Sequence, residues 1–252
     1  KTIRDHECTF YTTLSLNSMA TGEGGESALL GYFGRNLANA ITNTHQFSVD
    51  AKRLFEHKSV LIDTLKKFDK LMDRLEDNEG PVAVDSETAN LNRIANKLLT
   101  IQFSMNQDIG YLIPIHHKDT PFLGDELAYI KKRLKRYFES RNKNAYHIYT
   151  NAGFDLNVFR SQLKVRFFKN DIFDILAGEF VIDENMKFLM GVTGEYYHSL
   201  GTLSVQYGYD GYLTAEFGKK DRATIEAHPL DAKLIRYCTM DTVVPFAIHL
   251  QQ

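Results

Sequence analysis

Residues 81–91 read Pro-Val-Ala-Val-Asp-Ser-Glu-Thr-Ala-Asn-Leu, an apolar run that leads directly into two acids. The apolar residues predict a short strand that ends at Asp85. Because successive strand residues point to opposite faces, Asp85 and Glu87 are expected to point the same way. Two such carboxylates can converge on one hard cation, which prefers oxygen ligands. An Asp-X-Glu triplet is also common in solvated turns, so other acids must decide between the two readings.

The chain around this strand alternates between strand and helix patterns. Residues 98–103 and 110–114 predict two strands joined by a polar turn, and residues 146–149 predict a fourth. Apolar residues at three- and four-residue spacing predict helices at the following positions: 28–79, around Leu127 to Phe138, 154–163 and 231–249. The segment from Asp171 onward is expected to be mostly helical. This pattern predicts an α/β protein with a mixed sheet flanked by helices and a helical N-terminal preamble.

Composition limits the class of protein. Among 252 residues, 43% are hydrophobic and 25% charged, which is ordinary for a globular protein. No apolar run reaches the length of a membrane-spanning helix, so no membrane contact is expected. Cys8 and Cys238 lie too far apart in sequence to resemble a disulfide framework or a metal knuckle, which favours a reducing, cytoplasmic setting.

Charge limits how the chain could hold a nucleic acid. The net charge is −2, so contact with a nucleic acid must come from local basic patches. One candidate is the basic run from Lys131 to Lys143, for which a solvated helix face and phosphate contact both stay open.

Two further acids stand in positions that suit a metal site. Asp155 follows the fourth predicted strand and opens a helix, and Asp241 lies inside the last predicted helix. Tyr237 and Asp241 are four residues apart, so they share a helix face. Burying Asp241 among apolar neighbours would be costly without a cation or hydrogen-bond partners. A phenol beside such a carboxylate could hold a water molecule at a metal ion.

Taken together, these segments resemble the three exonuclease motifs of the DEDD superfamily, tyrosine subtype. Residues 84–91 resemble the first motif, 151–155 the second and 237–241 the third, with 70 residues from Asp85 to Asp155 and 86 from there to Asp241. The proofreading domain of family A, polymerase I-like, DNA polymerases is the most similar member, over about residues 60–252. Residues 173–176 also resemble the place where that family has a further acid opening a helix.

The resemblance implies a ribonuclease H-like fold and a 3′–5′ exonuclease domain at residues 60–252, preceded by a helical or irregular segment, 1–59, of unknown role. It implies two divalent ions, Mg²⁺ or Mn²⁺, the first held by Asp85, Glu87 and Asp241 and the second by Asp85 and Asp155. Tyr237 would orient the attacking water. Histidine-subtype relatives carry a base where this chain has Arg236, so the tyrosine subtype fits.

The resemblance also suggests contacts to the terminal nucleotide. Thr88 and Leu91 stand where the family touches it, and Leu91 could wedge against the last base or be a core residue. Asn151 could contact the substrate or fix the turn before the second motif, and Phe154 lies beside it.

The expected substrate is the single-stranded or frayed 3′ end of DNA, released as nucleoside monophosphates. The expected partner is an attached or associated polymerase domain, although none is expected within this chain, which ends shortly after the third motif. One alternative is an RNA-trimming enzyme similar to ribonuclease D. We expect no second helical nucleic-acid-binding domain after the motifs in this chain, which argues against the ribonuclease D-like alternative. The other alternative is a non-catalytic nucleic-acid-binding scaffold, against which the intact acids and Tyr237 argue.

Overall fold

The computed structural model describes residues 57–90, 96–141, 143, 146–182, 199–207, 209 and 225–252, together with residues 2–3 and 6–7. Two short strands form an antiparallel pair, β1 (Thr2–Ile3) and β2 (His6–Glu7). Within the described residues, a second sheet contains six strands, which are β3 (Lys58–Leu61), β4 (Val82–Thr88), β5 (Leu98–Ser104), β6 (Ile109–Pro114), β7 (Tyr146–Tyr149) and β8 (Asp171–Asp174).

The larger sheet is mixed, with strand order β3-β6-β5-β4-β7-β8. Strand β5 pairs antiparallel with both β4 and β6, whereas the pairs β3–β6, β4–β7 and β7–β8 are parallel. The strand with the two acids, β4, therefore lies inside the sheet. Its carboxyl end meets the carboxyl end of β7 at one edge, which is where ligands bind in many α/β sheets. The predicted fold class is confirmed.

Helices cover both faces of this sheet. The described helices are α1 (Leu65–Asp77), α2 (Gly124–Glu139), α3 (Ala152–Gln162), α4 (Ile175–Ile182), α5 (Leu200–Gln206) and α6 (Ala232–His249), with a 3₁₀ turn at Ile225–Ala227. The predicted helices around Leu127 to Phe138, at 154–163 and at 231–249 are confirmed as α2, α3 and α6. No described helix has the length and apolar character needed to cross a membrane.

The first face carries α1, α2 and α3 over one aromatic-rich core. Phe138 of α2 stacks on Phe159 of α3 with 4.8 Å between ring centroids, and both are buried. Tyr137 Oη lies 2.9 Å from Nε2 of His147, a buried histidine whose pKa burial lowers to about 4. Full burial of one such aromatic ring contributes about 1.5–3 kcal/mol, so this core anchors α3 firmly at the sheet.

The second face is covered mainly by α6, whose apolar residues pack on β4, β5, β6 and β7. The helix approaches β6 closely at Gly110, where an added Cβ would lie 2.5 Å from Cβ of Thr239. Only glycine fits there. This contact brings the residues after Thr239, including Asp241, close to the sheet.

The predicted helix at residues 28–79 is wrong in part. Residues 28–56 lie outside the described residues, and Val60 and Leu61 belong to strand β3, paired with β6. The helix begins only at Leu65, where the Thr64 hydroxyl caps it by accepting from Lys67 N. A four-residue segment carries too little periodicity to reveal a strand, and its pairing partner lies about fifty residues away in sequence.

Two other predictions are corrected, the end of β4 and the helical character of the residues from Asp171. Strand β4 does not end at Asp85 but continues to Thr88, so Asp85 and Glu87 lie within the ladder and not in a turn. Asp171–Asp174, expected to be helical, forms edge strand β8 beside β7. Both corrections arise from pairing with neighbouring strands, which a local pattern does not report.

Candidate active site

Three acids converge at the α6 face of β4. Ala83 packs in the core under α6, and Asp85 and Glu87 follow it at every second position of β4, so all three side chains face that helix. Asp241 of α6 meets them, and one carboxylate oxygen from each acid lies within 4.8 Å of the others. Each residue is only partly buried, so the cluster is open to a ligand.

The electrostatics of this cluster favour a cation. Burial raises the pKa of Asp85 well above its ordinary value, and the negative charges of Asp155, Asp241 and Glu87 raise it further. Like charges held this close destabilise one another. A divalent ion held by these acids would offset that repulsion.

Asp155 approaches from the opposite face of β4. It lies in the first turn of α3, is only 2% exposed, and accepts a 2.5 Å hydrogen bond at Oδ1 from the Ser86 hydroxyl. Burial raises the pKa of Asp155 to about 7, and the Ser86 hydrogen bond opposes that rise. The structure therefore places the fourth acid beside the other three, although it is not one of the three whose oxygens converge.

A tight turn fixes where α3 begins. Asn151 precedes the helix in the left-handed conformation with φ 61°, which asparagine tolerates better than most residues. Asp174, at the end of β8, accepts hydrogen bonds from Asn151 N (3.1 Å), Ala152 N (2.8 Å) and Leu176 N (3.0 Å). Of the two roles left open for Asn151, the structure supports fixing the turn, and its exposed side chain is still available to a substrate.

Tyr237 lies on α6 one turn before Asp241 and is 6% exposed. Its neighbour Cys238 is fully buried, and burial together with the nearby acids raises the pKa of its thiol.

Of the residues predicted to contact the substrate, Thr88 and Phe154 lie within the described residues and Leu91 does not. Thr88 is the last residue of β4, and its hydroxyl donates to Asn90 O at 2.7 Å. Its hydrogen is thus already used, and its oxygen can act only as an acceptor. Phe154 is partly buried against the aromatic-rich core under α1, α2 and α3, and Leu91 lies outside the described residues.

Two buried polar residues beside the acids escaped sequence reasoning. Gln102 and Thr100 of β5 stand directly opposite Asp85 and Glu87 in the antiparallel register and are 0% and 1% exposed. Gln102 Nε2 donates to Thr100 Oγ1 at 2.6 Å, while its Oε1 has no partner among the described residues. Only the period-two pattern of polar residues in β5 hints at this pair.

The family is decided by sequence comparison. The sequence model of the 3′–5′ exonuclease family matches residues 59–251. The chain belongs to the 3′–5′ exonuclease family. The predicted family and enzyme class are confirmed. No curated protein sequence matches the exonuclease closely enough to add to this.

Solved structures of similar fold include three nucleases. The EXO domain of Nibbler from Aedes aegypti matches with TM-score 0.54 and 17% identity, over 75% of the exonuclease and 84% of that chain. Ribonuclease D from Trypanosoma brucei, in complex with RNA U12, matches with TM-score 0.52 and 13% identity, over 81% and 65%. The catalytic core of RRP6 from the same organism matches with TM-score 0.51 and 14% identity, over 81% and 51%. At these identities the likeness supports the fold alone.

The residues present fit the divalent ions that the family implies. Three carboxylates with converging oxygens form the hard, anionic donor set that Mg²⁺ and Mn²⁺ prefer. Cys238, the soft donor nearby, stays protonated because burial raises its pKa. The exonuclease uses two divalent metal ions, as expected from the sequence.

Proposed function

We propose that the exonuclease removes nucleoside monophosphates from single-stranded or frayed 3′ ends of DNA as the proofreading module of a DNA polymerase. The observation that carries the chemistry is the convergence of Asp85, Glu87 and Asp241 within 4.8 Å, with Asp155 buried beside them. The similarity of the three motifs to those of family A polymerases supports the choice of DNA.

Each acid has a distinct proposed role. Asp85, Glu87 and Asp241 would hold one ion, and Asp85 with Asp155 would support the second. Such a pair of ions supplies an activated water and neutralises charge on the scissile phosphate. Tyr237 would orient that water by hydrogen bonding, because a phenol keeps its proton at neutral pH.

The terminal nucleotide is proposed to sit over the carboxyl end of β4. The Thr88 oxygen would accept a hydrogen bond from it, and Asn151 and Phe154 would contact it from the start of α3. Leu91 would wedge against the last base. Paired ends must first unstack, which costs a few kcal/mol and least at a mismatch, so frayed ends should be cut fastest.

We assign the exonuclease domain to residues 60–252 and leave 1–59 as a separate segment. The cytoplasm is the proposed location, supported by the low cysteine content.

Trimming of RNA is the second candidate function. It is favoured by the similarity in fold to the Trypanosoma brucei ribonuclease D that was solved with RNA. The two candidates share the four acids and the tyrosine, so the site chemistry does not separate them.

The deciding experiment uses 5′-end-labelled DNA and RNA strands of identical sequence, each incubated with Mg²⁺, Mn²⁺ or excess chelator. We expect a ladder of products shortened from the 3′ end, formed faster on DNA and absent in chelator. DNA duplexes with matched and mismatched 3′ ends test proofreading, and the mismatched end should be cut faster. Preference for RNA would establish the second candidate, and degradation in chelator would exclude the two-metal mechanism.

A further inference from the structure

The middle residue of the Asp85–Ser86–Glu87 triplet does more than separate two acids. Because side chains alternate along β4, Ser86 points away from α6 and toward α3. There its hydroxyl donates to Asp155 Oδ1 at 2.5 Å. Ser86 is 7% exposed and Asp155 is 2% exposed, so water hardly competes for this hydrogen bond.

This contact makes the two oxygens of Asp155 inequivalent. Hydrogen bonds from a hydroxyl to a carboxylate are short and roughly twice as strong as those between neutral groups. The torsion that turns an aspartate carboxylate is otherwise soft. The Ser86 hydroxyl holds Oδ1, and the backbone N–H groups of Ser86 and Asp155 also donate to the carboxylate, so the group is fixed in one orientation.

The backbone of Asp155 is held independently of Ser86. Asp174 accepts from Asn151 N and Ala152 N, and the aromatic core under α3 fixes the helix on the sheet. Removal of the Ser86 hydroxyl should therefore loosen the orientation of one carboxylate, which keeps its backbone donors, and leave the helix in place.

We propose that Ser86 is a positioning residue for the exonuclease reaction, which orients the Asp155 carboxylate toward the second metal ion. This inference rests on the proposed role of Asp155. The Ser86 hydroxyl thereby connects the first and second motifs. Strand β4 supplies Asp85 and Glu87 on one face and, on the other, the hydroxyl that orients Asp155.

Three variants test the inference. Ser86→Ala removes the hydroxyl, and Ser86→Cys keeps nearly the same volume with only a weak donor. Ser161→Ala is the matched control, because it removes a hydroxyl from the last turn of α3 that donates only to Val158 O. We expect Ser86→Ala and Ser86→Cys to lower kcat roughly ten- to a hundredfold, the range for loss of one positioned group. KM should stay near that of the parent in both Ser86 variants, while the thermal midpoint should fall modestly because a buried hydrogen bond to a charged group is lost. Ser161→Ala should leave both quantities near those of the parent.

Calorimetric titration with Mn²⁺, in the absence of nucleic acid, gives a second readout. We expect both Ser86 variants to weaken the second bound ion about tenfold and to leave the first unchanged. In the Asp155→Ala background, Ser86→Ala should cause no further loss, since residues that act as a pair are not additive.

Parental kcat and Mn²⁺ affinity in Ser86→Ala would overturn the inference, as would full recovery in Ser86→Cys, which would indicate packing and not hydrogen bonding. If the parent binds two ions but cuts neither DNA nor RNA, the proposed function fails while the calorimetric test of Ser86 still stands.

Discussion

Asp85 is the residue on which the whole site converges. Its carboxyl group lies close to those of Asp241 and Glu87. The negative charge of Asp155, on the other face of β4, also raises the pKa of Asp85. Burial and these charges raise the pKa of Asp85 in the absence of a cation. Several acids held this close, with a raised pKa at their centre, are an arrangement that often marks a functional site.

Neutralising a proposed metal ligand should affect activity and stability differently. We expect Asp85→Asn and Asp241→Asn each to lose at least about a hundredfold in single-turnover rate, or several kcal/mol of transition-state stabilisation. Both should be as stable as the parent or more stable in chelator, since like-charge repulsion is relieved. Asp108→Asn, at an exposed turn, is the control. Near-parental cleavage by either variant would exclude that acid as a ligand.

Tyr237 tests whether a water is oriented. Tyr237 is 6% exposed and packs between α6 and the sheet. Tyr237→Phe keeps its ring and deletes only the hydroxyl. We expect Mn²⁺ affinity and nucleic-acid binding to stay unchanged while the single-turnover rate falls roughly ten- to a thousandfold. A parental rate would reduce Tyr237 to a packing residue.

At the scale of elements, the basic run of α2 has a structural use. The side chain of Arg133 is 11% exposed and pairs with three acids of α1. Its Nη1 lies 2.7 Å from Asp69 Oδ1, and its Nη2 lies 2.5 Å from Asp73 Oδ1 and 3.6 Å from Glu76 Oε2. Hydrogen bonds to Asp73, Tyr129 and Asp69 raise the pKa of Arg133 despite its burial. At this position, ion pairing between helices replaces the phosphate contact that the sequence left open.

The corresponding prediction concerns Arg133→Met. Loss of the guanidinium leaves three acids of α1 without this partner, and because the acids are partly exposed we expect a cost of about 1–2 kcal/mol. Urea denaturation measures it, with exposed Lys132→Met as the control. The KM for the nucleic-acid substrate should not change in Arg133→Met. A raised KM with parental stability would favour phosphate contact instead.

At the scale of the molecule, three elements from both faces of the sheet deliver the site. Strand β4 supplies Asp85 and Glu87, α3 supplies Asp155 from one face, and α6 supplies Asp241 from the other. The acids can meet only in the folded chain, and the free energy of folding must offset their repulsion.

The pH dependence of unfolding reports the burial of Asp155, which is the main cause of the raised pKa of this acid. The pKa of Asp155 is about 7 when folded and near 4 when unfolded. Between these values the folded state binds more protons, so this group lowers the free energy of unfolding as pH rises from about 4 to about 7. His147 contributes the opposite slope, because burial lowers its pKa to about 4.

The measurement compares Asp155→Asn with the parent in chelator, since His147 is common to both. We expect the variant to gain stability relative to the parent across that pH range and the difference to level off above it. A difference independent of pH would show that Asp155 stays ionised in the folded protein.

Sequence reasoning recovered the features that depend on local spacing. Strand alternation placed Asp85 and Glu87 on one face, helical periodicity located α2, α3 and α6, and motif order identified the exonuclease family. These features follow from the regular spacing of side chains along a helix and along a strand. That spacing can be read from the local sequence without knowing which segments pack together. The domain boundaries and the roles of the individual site residues stay predictions.

Tertiary structure decided what depends on partners distant in sequence. Strand β3 exists because it pairs with β6, and β8 because it pairs with β7. Ser86 donates its hydrogen bond to Asp155, which is 69 residues away in sequence. Arg133 likewise forms its ion pairs with acids of α1, far from it in sequence. A side chain's local sequence specifies which face it occupies. Which group meets it there depends on how the helices pack on the sheet, and that is settled only when the whole core is buried.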